Sequence, residues 1–270
     1  PGVTITKITG DNGLLPLDAN KNTVGACIKM VLHHLKREDV GVEIELHKKM
    51  PIGSGLGSSA ASTIAGLFSI NQLLGSPLSK QELLPFALKG EELACGHGHA
   101  DNVAPSLLGG ITLIRSYQPL DIISIPVPKE LCCSVIFPHV EVPTRAARQI
   151  LRTKVELKGA VTQWGNIAGL VAGLYSEDYD LISHSLQDQL IEPIRSILIP
   201  EFDTMRELTK EAGALGFGIS GSGPSVVTFT RGIEKAEEIT HILQSHLKSK
   251  NIGSNGYSSG INIQGARELS

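Results

Sequence analysis

The chain has 270 residues, room for one large domain or two modest ones. With 41% hydrophobic and 19% charged residues it is not a disordered chain, and a net charge of −3 lacks the basic excess of a nucleic-acid-binding surface. The 29 glycines follow no G-X-Y period, so they point to tight loops and not to collagen. No stretch of 18 apolar residues marks a membrane span. The four cysteines, Cys27, Cys95, Cys132 and Cys133, form no C-x-x-C pair and fit a reducing compartment.

In chain order, Val24, Cys27, Ile28, Val31 and Leu35 follow helical spacing, with Asp18 or Asn22 as the cap. Val42, Ile44 and Leu46 alternate with polar residues, which predicts a half-buried strand. A glycine-rich loop follows, Pro51-Ile52-Gly53-Ser54-Gly55-Leu56-Gly57-Ser58-Ser59, leading into a helix with Ile64, Leu67 and Phe68 that ends at Gly75 and Pro77. Ser79-Lys80-Gln81-Glu82 is a capping box opening a helix that reaches Glu91 and Glu92. Residues 97–102 read as a loop, and Gly109-Gly110 leads to a strand over 111–114. The segment 117–129, with Pro119, Pro126 and Pro128, is the expected domain boundary, dividing the chain into 1–125 and 126–270. Beyond it lie a strand at 131–137, a basic helix start at Thr144-Arg145, and helices to about residue 212. A second glycine loop at 216–224, a strand at 226–230, a helix at 233–247 and a last strand near 261–263 complete the chain. Interleaved strands and helices in both halves make the class α+β or α/β.

The loop at 53–59 is the most specific feature. Glycines at 53, 55 and 57 permit positive φ and leave the backbone bare. The helix starting near Ser58 offers unpaired N–H groups and the positive end of its dipole. Together they form an anion cradle suited to phosphates. The spacing is neither a Walker A loop nor a Rossmann fingerprint. Glu91 lies three residues after Leu88 and seven after Leu84, beside the apolar stripe, where a carboxylate needs a cation or several donors; a solvated helix-end glutamate is the other reading, and Glu92 fits nearly as well by spacing. Cys95, His97, His99 and Asp101 match no structural zinc spacing. A loop placing His99, Asp101 and Asn102 around a substrate is the alternative. Thr144, Arg145 and Arg148 are a basic cluster at a helix start, an unfavourable place for cations unless an anionic ligand is bound there.

These residues carry a resemblance. Pro51-x-Gly-x-Gly-Leu-Gly-Ser-Ser-Ala-Ala61 resembles the central phosphate-binding motif of the GHMP small-molecule kinases, and Gly218-Ile219-Ser220-Gly221-Ser222-Gly223-Pro224 resembles their C-terminal motif. His99-x-Asp101-Asn102-Val103-Ala104-Pro105 with Leu108-Gly109-Gly110, Thr144-x-x-x-Arg148, and Glu192-Pro193 with Arg195 are similar to the homoserine kinases of that superfamily, the plant-type ones most of all. The resemblance implies a two-domain α+β GHMP-kinase fold, with a ribosomal-protein-like N-terminal domain and a ferredoxin-like C-terminal domain. It implies ATP, Mg²⁺ and L-homoserine, giving O-phospho-L-homoserine for threonine synthesis. It places the nucleotide on Asn22, Pro51, Gly53, Ser54, Gly55, Leu56, Gly57, Ser58, Ser59, Ala60, Ala61, Gly221, Ser222 and Gly223. It puts the metal on Ser59 and Glu91, the substrate on His99, Asp101, Asn102, Arg148 and Arg195, and the reacting groups beside Asp101 and Thr144. A homodimer, the plastid stroma for a plant-type enzyme and otherwise the cytoplasm are further expectations of the resemblance, with no nucleic-acid or membrane partner. The family's opening motif, Pro-Ala-Thr-x-Ala-Asn-Leu-Gly-Pro-Gly-Phe-Asp, is not found in this sequence, so an N-terminal domain incomplete at its start is expected. Competing readings are a catalytically impaired fragment, a non-catalytic nucleotide- or metabolite-binding GHMP-fold protein, and a GHMP kinase for another small alcohol.

Overall fold

The computed structural model describes residues 1–95, 98–142, 147 and 149–269. The chain divides into two compact units. Pro1–Ile52, Gly57–Ser124 and Asn262–Ser270 form the first, Gly53–Leu56 and Ile125–Ile261 the second. A purely linear division therefore misses two exchanges: the tip of the first glycine loop groups with the second unit, and the last stretch of chain with the first.

In the first unit β1 (Gly2–Thr9) lies parallel to β2 (Gly41–His47), with Val3 opposite Val42 and Ile5 opposite Ile44. Sequence reading had passed over β1, although Val3 and Ile5 carry the period-two signal and are buried. α1 (Thr23–His34) joins the strands and is capped by Asn22, whose Oδ1 accepts the Val24 N–H at 3.1 Å. Asp18, the other candidate cap, accepts from the Asn20 N–H instead. α2 (Ser58–Leu73), α3 (Lys80–Cys95) and α4 (Ala100–Leu108) pack with α1 around a core that includes Val24, Val31, Ile64, Leu67, Leu83 and Leu107. The capping box at the start of α3 is formed. The Glu82 carboxylate accepts the Ser79 N–H at 2.8 Å, and Ser79 Oγ accepts the Glu82 N–H at 3.3 Å. The predicted loop at 97–102 is corrected at its end: His99 is the N-cap of α4, so Asp101 and Asn102 occupy a helix's first turn. β3 (Ile111–Tyr117) pairs with β4 (Leu120–Ile125), so the expected linker at 117–129 contains a strand.

The second unit is built on β5 (Leu131–Pro138), β6 (Gly216–Ile219), β7 (Val226–Arg231) and β8 (Ser254–Gly260), in the order β6-β7-β5-β8 with antiparallel neighbours. Between β5 and β6 run α5 (Leu157–Ser176), α6 (Tyr179–Ser185), the short α7 (Glu192–Arg195) and α8 (Phe202–Glu211). α9 (Ile233–Ser249) links β7 to β8. α8 and α9 close the core over Ile136, Met205, Val226, Ile239 and Leu243. This chain order and strand order are ferredoxin-like. Two predictions are corrected. Gly216–Ile219 is a strand, which shortens the second glycine loop to 220–224. The last strand is Ser254–Gly260 and not 261–263, because a run with so little β-propensity becomes a strand only through its pairing with β5.

Candidate active site

The phosphate-loop glycines adopt the expected backbone, Gly53 and Gly55 at the tip that groups with the second unit and Gly57 in the first. Gly53, Gly55 and Gly57 have φ of 70°, 79° and 75°. Gly57 is the N-cap of α2, and no side chain caps the helix there. Ser58 Oγ is turned away to donate to the Met50 carbonyl at 2.9 Å. The start of α2 therefore keeps its positive dipole end and its backbone donors for an anion. Asn102, in the first turn of α4, stands beside Gly57: a Cβ on that glycine would lie 3.4 Å from Asn102 Oδ1.

Glu91 of α3 is only 3% exposed. Its Oε1 accepts a hydrogen bond from Ser59 Oγ at 2.7 Å, and its Oε2 lies 3.7 Å from His99 Nδ1. Ser59 lies two residues after Gly57, so a hydroxyl and a buried carboxylate meet at the helix start. That oxygen donor set suits a hard divalent cation such as Mg²⁺, Ca²⁺ or Mn²⁺, with water or phosphate oxygens as its other ligands.

Lys48 was missed by sequence reading. It follows β2, and Lys48 Nζ donates to the Ser58 carbonyl and to Ser62 Oγ, both at 2.6 Å. Burial lowers its pKa, while the charges of Glu91 and Asp11 oppose that shift. A lysine beside a strand end usually lies on a solvated surface, so its position in sequence carried no signal. Asp11, buried and accepting the Leu15 N–H at 3.1 Å, was missed for the same reason.

In the second unit the two glycine motifs touch. Ser220 Oγ donates to the Gly55 carbonyl at 3.1 Å, and the Ser225 N–H donates to the Ser54 carbonyl at 3.2 Å. A Cβ on Gly55 would come within 2.5 Å of the Ser220 oxygen, and one on Gly221 within 2.7 Å of the Gly55 oxygen. Arg195 is tied to the same loop: its Nη1 donates to the Gly221 carbonyl at 3.2 Å and its Nε to the Ala147 carbonyl at 3.1 Å. Arg195, Glu192, Asp188, Gln163 and Gly218 border a cavity of about 300 Å³. Burial pushes the Glu192 carboxyl up, and Arg206, donating to it at 2.7 Å, pulls it down.

Of the predicted residues, Ser59, Glu91 and His99 come together in the first unit, with Asn102 beside Gly57. Asp101 is exposed on the first turn of α4, and its charge helps raise the pKa of Tyr117 after the larger effect of burial. Asn22 is buried and engaged by the backbone, with Nδ2 donating to the Pro16 carbonyl at 3.0 Å. Thr144, Arg145, Arg148, His97 and the side chain of Cys95 lie outside the described residues. Among the described residues there is no group of three or more His, Cys, Asp or Glu fit to hold a metal by themselves, and no helix long and apolar enough to cross a membrane.

Comparison with known proteins gives matches along most of the chain. The description "GHMP kinases N terminal domain" matches residues 22–110, and "GHMP kinases C terminal" matches residues 170–249. The chain is 47% identical to a homoserine kinase of Chloroherpeton thalassium, covering 99% of this chain and 86% of that one. It is 45% identical to a homoserine kinase of Chlorobaculum tepidum, covering 99% and 85%. A crystal structure of homoserine kinase from Cytophaga hutchinsonii superposes with a TM-score of 0.95 at 54% identity, covering 98% of this chain and 84% of that one. These relatives are bacterial, so the plant-type expectation, and the plastid with it, finds no support.

Proposed function

The chain belongs to the homoserine kinases of the GHMP kinase family, and on that premise we propose that it transfers the γ-phosphoryl group of ATP to the side-chain hydroxyl of L-homoserine. The products are O-phospho-L-homoserine and ADP. The observation that carries the reading is the hydrogen bond from half-buried Ser59 to buried Glu91 at the uncapped start of α2.

Phosphoryl transfer asks for positioning and charge neutralisation more than for covalent help from the protein. The bare backbone over residues 53–61 takes the phosphates, with Gly221, Ser222 and Gly223 of the second loop and Asn22 toward the rest of the nucleotide. Lys48, already at the Ser58 carbonyl, adds a positive charge beside the same helix start. Ser59 and Glu91 are the residues that would hold Mg²⁺, and bound there it would draw charge from the phosphate oxygens. His99, Asp101 and Asn102 at the start of α4 take the amino acid and orient its hydroxyl. Arg148 and Arg195 take its carboxylate, for which a guanidinium fork is the matching donor. The resemblance assigns Thr144 a role near the transferring group.

The test is ADP release that depends on L-homoserine, with a panel of other small alcohols beside it. Glu91→Gln and Ser59→Ala should each cut kcat/KM by about 100-fold or more, raise the Mg²⁺ needed for half-maximal rate, and leave the circular dichroism unchanged. Equal turnover of homoserine and the other alcohols would refute the substrate assignment. Unchanged Mg²⁺ dependence in both variants would refute the metal assignment.

A further inference from the structure

α7 is a single turn from Glu192 to Arg195, and one isolated turn does not hold itself. Its start is fixed by Asp188, whose carboxylate accepts the N–H groups of Leu190 and Ile191 at 2.8 Å and of Glu192 at 3.1 Å. α5 fixes the stretch before it: Gln163 Oε1 accepts the Gln189 N–H and Asn166 Nδ2 donates to the Gln187 carbonyl, both at 2.9 Å. The Glu192 side chain is 12% exposed and lies across β6, so that a Cβ on Gly218 would come within 3.1 Å of its Oε2. Its Oε1 accepts from Arg206 Nη2 of α8 at 2.7 Å.

Arg195, at the other end of the turn, has different partners. Its Nε and Nη1 donate to the carbonyls of Ala147 and Gly221. Ala147 precedes Arg148 in the chain, and Gly221 belongs to the second glycine loop. Yet Glu192 and Arg195 border one cavity and stand three residues apart, the spacing at which a carboxylate and a guanidinium on one turn pair. A carboxylate this buried needs a cation. Two arginines compete for the role, Arg195 within the turn and Arg206 from α8, and Arg206 fills it. Of the charges that act on Glu192, Arg206 is the cation, against Asp188 and Asp203. Arg206 is steadied in turn by the Phe202 ring, 4.9 Å from its guanidinium carbon, and by Asp203 at 3.4 Å.

We propose that Arg206 is a positioning residue for the substrate's carboxylate: by holding Glu192 it leaves Arg195 on the carbonyls of Ala147 and Gly221, and keeps Glu192 from cancelling the Arg195 charge. The inference rests on the reading above in which Arg195 takes the carboxylate of L-homoserine. Without Arg206, Glu192 draws Arg195 into the pair within the turn. The guanidinium fork then leaves the second glycine loop, and substrate binding weakens while the phosphoryl transfer itself is untouched.

Steady-state kinetics on four proteins test this. Arg206→Met should raise KM for L-homoserine by about tenfold or more, the value of one charge-assisted contact, with kcat and KM for ATP within about twofold of wild type and circular dichroism unchanged. Adding Glu192→Gln should bring KM for homoserine back to within about threefold of wild type, because a neutral amide does not compete for Arg195. Glu192→Gln alone should stay within the same range. Arg206→Lys, which leaves a cation on Glu192, should do so too, and it serves where Arg206→Met folds poorly. A merely structural pair gives the opposite pattern, since the double variant would then be no better than Arg206→Met. An unchanged KM in Arg206→Met, a rise that Glu192→Gln does not reverse, or a rise as large in Arg206→Lys overturns the proposal. Arg195→Met separates this from the reading beneath it. If that variant raises KM for homoserine and Arg206→Met does not, the positioning role alone falls. If Arg195→Met leaves KM unchanged, or the wild type does not turn over homoserine, the carboxylate assignment falls and the proposal with it.

Discussion

Glu91 can be held inside the first unit because Ser59 and His99 meet its two oxygens, and because the residue before it is glycine. A Cβ on Gly90 would lie 1.9 Å from Cys27 Sγ, so the absence of a side chain lets α3 approach α1 with Glu91 turned inward. Gly90→Ala should cost about 1–3 kcal/mol through overpacking and lower homoserine-dependent turnover. Adding Cys27→Ala makes room and should return most of both losses. A double variant as unstable as the single one would show that some other contact governs the approach. Burial, and then the charge of Glu91, push the Cys27 thiol up to about 12. Cys27 should therefore escape iodoacetamide in the native protein near neutral pH and react on unfolding, which peptide mapping by mass spectrometry reads directly. Helical spacing with Leu84 and Leu88 made Glu91 a candidate but left Glu92 nearly as good, and only the resemblance chose between them. Lys48 and Cys27 could not be singled out, since their importance comes only from what is packed around them.

Helix ends show how far local chemistry reaches. The capping box at Ser79 was legible because all its partners lie within four residues. Ser79→Ala should cost about 1 kcal/mol, seen as a lower thermal midpoint with α3 intact in the crystal or by NMR. The start of α8 was not legible. Its N-cap, Glu201, has positive φ and accepts from His246 Nε2 of α9 at 2.9 Å, with Lys250 Nζ at 3.7 Å. The His246 hydrogen bond, aided by the Lys250 charge, holds the Glu201 carboxyl below its ordinary value. As pH falls below about 4.5 the unfolded chain takes up this proton before the folded one. The stability contributed by Glu201 is thus present above the ordinary carboxylate range and lost as pH drops through the lowered pKa. Glu201→Gln should flatten that part of the acid limb when urea midpoints are followed against pH. An acid limb parallel to that of the wild type would remove Glu201 from the account.

At the scale of the molecule, the chain returns on itself. Its last stretch belongs to the first unit, where the Gly110 N–H donates to the Asn262 carbonyl at 2.7 Å and Lys80 Nζ donates to the carbonyls of Gln264 and Ala266 at 2.8 and 3.0 Å. Gly109 and Gly265 come so close that a Cβ on Gly109 would lie 2.4 Å from the Gly265 nitrogen. Removing residues 262–270 should speed amide exchange in α3, α4 and β3 while leaving β5 to β8 protected, and uniform loss of protection would contradict this division. Sequence reading placed 261–263 in a strand of the second half, because apolar Ile261 and Ile263 alternate and nothing local distinguishes a strand from a strap. The sequence by itself determined both glycine motifs and the capping box, written in neighbouring residues as spacing and backbone preference, and the resemblance of its motifs pointed to the family and to Glu91 as the carboxylate. Only the tertiary structure decided that Ser59 and Glu91 share a hydrogen bond, that Lys48 reaches Ser58 and Ser62, and that a Cβ on Gly55 would strike the Ser220 oxygen and one on Gly221 the Gly55 oxygen. Those relations join residues brought together by helix packing and strand pairing, and a one-dimensional period holds no record of which distant residue will fill the space beside it.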